Sequence, residues 1–169
     1  MTIGYRLATA DDAEALAELG VRTFTDTFGH LYQPGDLEIF LQNHSPENWD
    51  KELSDPAFEV CVAEQDGTLV GYVKLGPSAL PIETEKRALE LRQIYVLRGH
   101  LGTGIAAGLT EWAINEAKRH GFEELYLTVF IDNPRARRFY DRYGFEAVGR
   151  YDFMVGNQAD EDIIMRKVL

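Results

Sequence analysis

Between Gln93 and Ala106 the chain reads Gln-Ile-Tyr-Val-Leu-Arg-Gly-His-Leu-Gly-Thr-Gly-Ile-Ala. A β-rich run ends there, the chain turns through Gly99, Gly102 and Gly104, and a helical pattern begins. Glycine admits positive φ and lets a ligand come close to the backbone. The first amides of a helix lack intrahelical partners and sit at the positive end of its dipole. That combination binds phosphate without a basic side chain. Two other phosphate-binding turns do not fit. The spacing G-x-G-x-x-G is not met, because Ala107 would fill its third place and Gly102 follows Gly99 too loosely. Gly-Lys-Ser/Thr is absent. On this stretch alone, a tight strand-to-helix turn with no ligand stays open.

The elements around this turn follow from periodicity. Ile3–Leu7 reads as a strand, and Asp11 or Asp12 caps a helix with Ala13, Leu16, Ala17, Gly20, Phe24 and Phe28 on one face. Short helices are expected over 36–42 and 46–53, ended by Asp55-Pro56. Runs at 58–64 and 69–75, joined by Gln65-Asp66-Gly67-Thr68, signal a hairpin, and 89–97 is a third strand. A helix from Thr103 to Arg119, a strand at 125–130, a helix after Asn133-Pro134 and strands at 145–153 and 163–168 complete the chain. The order predicts one α/β (mixed α+β) domain over 1–169, with no repeat or linker.

Two stretches together resemble the GNAT superfamily of N-acetyltransferases. Leu101-Gly-Thr-Gly104-Ile-Ala106 is similar to its pyrophosphate loop, Gln/Arg-x-x-Gly-x-Gly/Ala. Asn133-Pro-Arg-Ala136-Arg-Arg-Phe139-Tyr140, followed by Gly144-Phe145, resembles its Asn-x-x-Ala-x-x-Phe-Tyr…Gly-Phe signature. Segments at 22–28, 90–97 and 162–167 resemble a bacterial branch that includes spermine/spermidine N-acetyltransferases. The resemblance spans essentially the whole chain. It implies a mostly antiparallel mixed sheet with helices on both faces. It also implies acetyl-CoA as acyl donor, a primary amine such as a polyamine or other small cationic amine as acceptor, and direct attack in a ternary complex. A protein N-terminal, lysine or antibiotic acetyltransferase, or a catalytically idle acyl-CoA-binding module on the same fold, is the alternative. Two departures concern cofactor affinity: Leu101 stands where Gln or Arg is usual, and Thr103 where a basic residue is common.

An alkylamine with a pKa near 10 must lose a proton before it attacks, and a thiolate with a pKa near 8.5 leaves more easily beside a proton donor. The resemblance assigns the donor to Tyr140; periodicity alone makes it one ring of a helix's core face. Glu90 is the implied base, with a solvated strand-edge carboxylate as the plainer reading. Backbone amides around Ile94, Tyr95 and Val96 would hold the acetyl carbonyl, Val96 as the oxyanion-type donor. Gly102, Thr103, Gly104, Ile105, Ala106, Asn133 and Tyr140 would contact CoA. Arg135, Arg137 and Arg138 either approach its 3′-phosphate or form a solvated face. Tyr32, Asp26 and Asp36 fall in the region that lines the acceptor site in relatives.

The formal net charge of −11 disfavours a nucleic-acid partner and favours cationic small molecules. CoA is an anion, so its site needs local donors. Cys61 is the only cysteine, and His30, His44, His100 and His120 show no ligand spacing, so no disulfide or metal is expected. No signal-peptide pattern or long apolar run occurs, which points to a cytoplasmic protein without a membrane partner. The oligomeric state is left open, a homodimer included.

Overall fold

The computed structural model describes residues 2–169, Asn43 by its backbone only. Its strands are β1 (Gly4–Leu7), β2 (Glu59–Gln65), β3 (Thr68–Gly76), β4 (Ala88–Val96), β5 (Glu124–Phe130), β6 (Glu146–Val155) and β7 (Gln158–Val168). The helices are α1 (Ala13–Phe28), α2 (Pro34–Leu41), α3 (Pro46–Leu53), α4 (Ile105–Arg119) and α5 (Pro134–Arg142). Among the described residues the strands form one sheet in the order β1-β2-β3-β4-β5-β7-β6. Every pairing is antiparallel except β4 with β5. This is the mixed, mostly antiparallel architecture that the sequence predicts.

Alternation along the strands feeds two cores, one on each face of the sheet. Cys61, Ala63, Val73, Leu75, Leu125, Leu127, Ile163 and Met165 point to the face covered by α4 and α5, where they pack with Leu109, Ala113 and Tyr140. Val60, Val62 and Tyr72 point to the other face, against Leu16, Leu19 and Trp49 of α1 and α3. A strand buried on both faces cannot alternate apolar with polar, which is why β2, β3 and β5 read as nearly unbroken apolar runs. The Cys61 thiol is 1% exposed and pushed up by burial to about 11, so it serves as packing.

Element bounds match expectation within a few residues, with one exception. β7 begins at Gln158, five residues before the expected start at Ile163. The extension is the polar run Gln-Ala-Asp-Glu-Asp, which pairs with β6 through Asp162↔Tyr151, Asp160↔Phe153 and Gln158↔Val155. Ladder hydrogen bonds place it in the sheet although its composition reads as a loop.

Candidate active site

β4 and β5 run parallel but pair only at Ala88↔Glu124, Leu89↔Leu125 and Glu90↔Tyr126. Beyond these pairs the strands part. A cleft of about 780 Å³ opens between them, lined by Leu91–Val96 on one side and Leu127–Phe130 on the other. The opening passes through the sheet. On the α4/α5 face it meets the glycine loop and α5; on the α1/α2 face it meets a group of aromatic rings and carboxylates.

The strand that borders the opening presents free donors to it. The Leu97 amide donates to the Val70 carbonyl at 2.8 Å, toward β3. Amides alternate sides along a strand, so those of Val96 and Ile94 face away from β3, into the opening. The Tyr95 ring instead points to the α1/α3 face, stacked edge-on to Tyr72 at 5.5 Å.

At the head of α4, Gly102 and Gly104 have φ of +79° and +88°. A Cβ built on either meets no protein atom within 4 Å. Gly104 occupies the N-cap and no side chain caps the helix. The first backbone bond inside the helix is Gly108 N–H to Gly104 O, which leaves the amides of Ile105, Ala106 and Ala107 unpaired. Ile105 contributes only its backbone, since its side chain is 1% exposed in the core. Thr103 donates its hydroxyl to the His100 carbonyl in a short hydrogen bond, and so shapes the loop. Open space, left-handed glycines and uncapped amides together fit a pyrophosphate group. Arg135, Arg138 and Arg142 add positive charge to the same cleft; Arg137 does not line it.

α5 places Tyr140. The Asn133 Oδ1 accepts from the Ala136 amide at 3.2 Å, and Pro134 occupies the first turn. Tyr140 lines the cleft and is 8% exposed, its ring edge-on to Phe139 and Phe145 at 5.2 and 5.7 Å. Burial pushes its phenol above the usual value, so the hydroxyl keeps its proton at neutral pH. Removing the cap tests how firmly this helix is held. Asn133→Ala is expected to cost about 1 kcal/mol, or roughly 2–4 °C in Tm for a chain of this size, and to lower kcat through a looser Tyr140. Thermal unfolding and turnover measured together check it.

Glu90 is buried at 7% exposure, not a solvated edge. Burial raises its carboxyl pKa, opposed by the Ala79 amide, which donates to it at 3.0 Å, and by Arg92 at 4.0 Å. It lines a second cavity of about 540 Å³, which shares Arg92, Gln93, Tyr95, Thr128 and Phe153 with the cleft.

On the α1/α2 face, Phe24, Phe28, Tyr32 and Tyr95 wall the cleft, together with Phe130 and Phe153. Phe24 lies 6.0 Å from Tyr32 and 6.4 Å from Tyr95, ring to ring, and Phe28 is edge-on to Phe130. Tyr32 donates to Asp160 in a short hydrogen bond. Asp160 and Asp162 both line the cleft, and the sequence reading did not single them out. Their signal was a run of three acids, Asp160-Glu161-Asp162, just before Ile-Ile-Met. Asp26 and Asp36 do not line the cleft; Asp36 instead accepts from the Asn157 amide at 2.9 Å.

Outside the cleft, His120 contacts Glu59 and Glu116, at 2.7 and 3.0 Å. Arg119 forms a short ion pair with Glu116 and supplies charge there. No helix among the described residues is long and apolar enough to cross a membrane.

Comparisons with known proteins identify the family and agree with the fold. The sequence profile of the Acetyltransferase (GNAT) family matches residues 19–145. Uncharacterized N-acetyltransferases of Mycobacterium tuberculosis and Mycobacterium bovis are each 33% identical over 159 residues, covering 94% of this chain and 98% of theirs. The fold is similar to that of PaiA N-acetyltransferase from Thermoplasma acidophilum, solved in complex with coenzyme A. The TM-score is 0.80 at 24% identity, with both chains fully covered. It is also similar to the ribosomal-protein-S18-alanine N-acetyltransferase of Escherichia coli, with a TM-score of 0.72 at 17% identity, covering 99% and 94% of the two chains. The chain belongs to the GNAT family and is an acetyl-CoA-dependent N-acetyltransferase.

Proposed function

We propose that the acceptor is a small cationic primary amine, a polyamine or another alkylamine, which attacks the acetyl-CoA thioester directly within a ternary complex. The observation that carries this reading is the opening between β4 and β5. It joins a phosphate-type loop on one face to an acidic, ring-walled basin on the other. In this reading the amides of Gly102–Ala106 hold the pyrophosphate. Asn133 and Thr103 fix the surrounding backbone. Ile94, Tyr95 and Val96 border the acyl group, and the Val96 amide stabilises the carbonyl oxygen as charge develops on it. Tyr140 gives its proton to the leaving thiolate. Glu90 stands in an outer position, tied to the Ala79 amide, as a relay to solvent. The resemblance to the spermine/spermidine branch and the net charge of −11 support a cationic acceptor.

A panel of spermidine, putrescine, butylamine and a peptide with a free N-terminal alanine, each with acetyl-CoA, tests the acceptor class by thiol release. The small cations are expected to have the highest kcat/KM. For spermidine kcat/KM should fall as salt rises, because screening weakens steering. A preference for the peptide, or for neutral or anionic amines, would reject a small cationic acceptor.

A further inference from the structure

Thr128 of β5 and Asp160 and Asp162 of β7 share the α1/α2 face, opposite the face to which Val129, Ile163 and Met165 point. Asp162 is 6% exposed, with the Thr128 side chain beside it. Asp160 accepts from Tyr32 and, at 3.2 Å, from the Gln158 amide group. Among the described residues no Lys, Arg or His lies within ion-pair distance of either carboxylate, although the other buried acids Asp12, Glu90 and Glu124 each have an arginine partner. Two neighbouring carboxylates, one nearly out of water, form a costly arrangement unless a cation joins them. The rings of Phe24, Phe28, Tyr32 and Tyr95 line the same space, and aromatic rings also attract a cation.

We propose that Asp160 and Asp162 bind the ammonium of the acceptor within this ring wall, and that Asp162 takes the proton that frees the nitrogen for attack. The assignment rests on the acetyl-transfer reading above. It places the base on β7 rather than at Glu90, whose carboxylate faces the smaller cavity.

The protons balance. A primary ammonium carries three and the amide product one. Asp162 takes the first, which frees the lone pair. The C–N bond then forms and the C–S bond breaks, and the second proton leaves the nitrogen for water. Tyr140 gives its proton to the departing thiolate and regains one from water. Asp162 returns its proton to water as the product leaves. The sum is one amide, one thiol and one released proton.

Burial pushes the Asp162 carboxyl up to about 6; Thr128 lowers it and Asp160 raises it. The other titratable groups facing it are Tyr32 from the turn after α1, Tyr95 from β4 and Tyr151 opposite it on β6. Burial raises the phenols of Tyr32 and Tyr95, so both stay neutral near pH 6. Asp162 is therefore mostly ionised at pH 7 and protonated below 6, where it can no longer accept. Activity is expected to fall as pH drops through about 6.

Two variants test the assignment in the full chain. Asp162→Asn is expected to lower kcat/KM for the fastest amine of the panel by about a hundredfold or more. It should also abolish the acidic limb near pH 6, with CoA affinity and folding kept. Asp160→Asn should raise the Kd for spermidine, measured by calorimetry in the presence of CoA, while the acidic limb persists. A loss under threefold in Asp162→Asn, or an unmoved acidic limb, would overturn the assignment of the base. Unchanged spermidine affinity in both variants would overturn the ammonium site. Wild-type protein that binds spermidine through these carboxylates yet releases no thiol with any amine would reject the acetyl-transfer reading instead.

Discussion

Replacing Gly104 by valine is expected to raise the Kd for acetyl-CoA at least about a hundredfold, which corresponds to roughly 2.7 kcal/mol. Two effects combine. Gly104 sits at φ +88°, where a β-branched residue is strained by about 1–2 kcal/mol. Its side chain would also enter space that no protein atom occupies, directly over the uncapped amides of α4. Charge-assisted hydrogen bonds to those amides contribute about 1.5–3 kcal/mol each, so displacing the phosphate from even one or two outweighs the strain. Gly67 separates the two effects. It has φ +79° and equally open surroundings, but lies in the β2–β3 turn. Gly67→Val should cost similar stability and leave CoA affinity unchanged. Calorimetry on both variants decides the matter; a folded Gly104→Val protein with parental affinity would remove the loop from the cofactor site.

Tyr140→Phe should lower kcat by about 10²–10⁴-fold with near-normal folding and CoA affinity, the range typical of a lost general acid. The ring and its contacts with Phe139 and Phe145 are retained; only the hydroxyl is lost. The direction of the pKa shift sharpens the expectation. An ordinary phenol near 10 facing a thiolate near 8.5 is already uphill by about 2 kcal/mol. Burial raises the Tyr140 phenol further, so stepwise transfer is disfavoured. If Tyr140 is the donor, its proton moves as the C–S bond breaks, so the parent should show a solvent isotope effect on the single-turnover rate that Tyr140→Phe reduces. A kcat within about threefold of the parent, confirmed by single-turnover rates, would leave Tyr140 as a core ring only.

The parts of this enzyme legible in sequence are those with local causes. The glycine turn into α4 is written in Gly102 and Gly104, and the start of α5 in Asn133-Pro134, because each conformation is set by the residues that adopt it. Helix faces and two-sided strands were equally readable from spacing. The acceptor end was not. Asp160 and Asp162 lie in a polar run that resembles a loop; pairing with β6, and with the end of β5 at Asp162, turns it into strand, and only the separation of β4 from β5 makes its inner face part of a cleft. The burial of Glu90 was hidden for the same reason. Its surroundings come from Lys74, Arg92 and the chain at Ala79, which the fold brings together. Tyr32 could be placed by region, but not its bond to an acid 128 residues away.

The short parallel junction has a further consequence, for how the molecule opens. Only three ladder pairs join β1–β4 to β5–β7, so the backbone seam between these two blocks is short and side chains in the core under α4 and α5 carry most of what links them. Amide groups on the seam side of Ile94 and Val96 have no ladder partner across the gap and face the open cleft, so in the free protein no ladder bond protects them from hydrogen exchange. A donor molecule lying in the gap would hydrogen-bond to both borders at once, as a short extra strand. Cofactor affinity would then appear partly as mechanical coupling: exchange would slow in both blocks together, far beyond the atoms in contact, and the two blocks would melt as one.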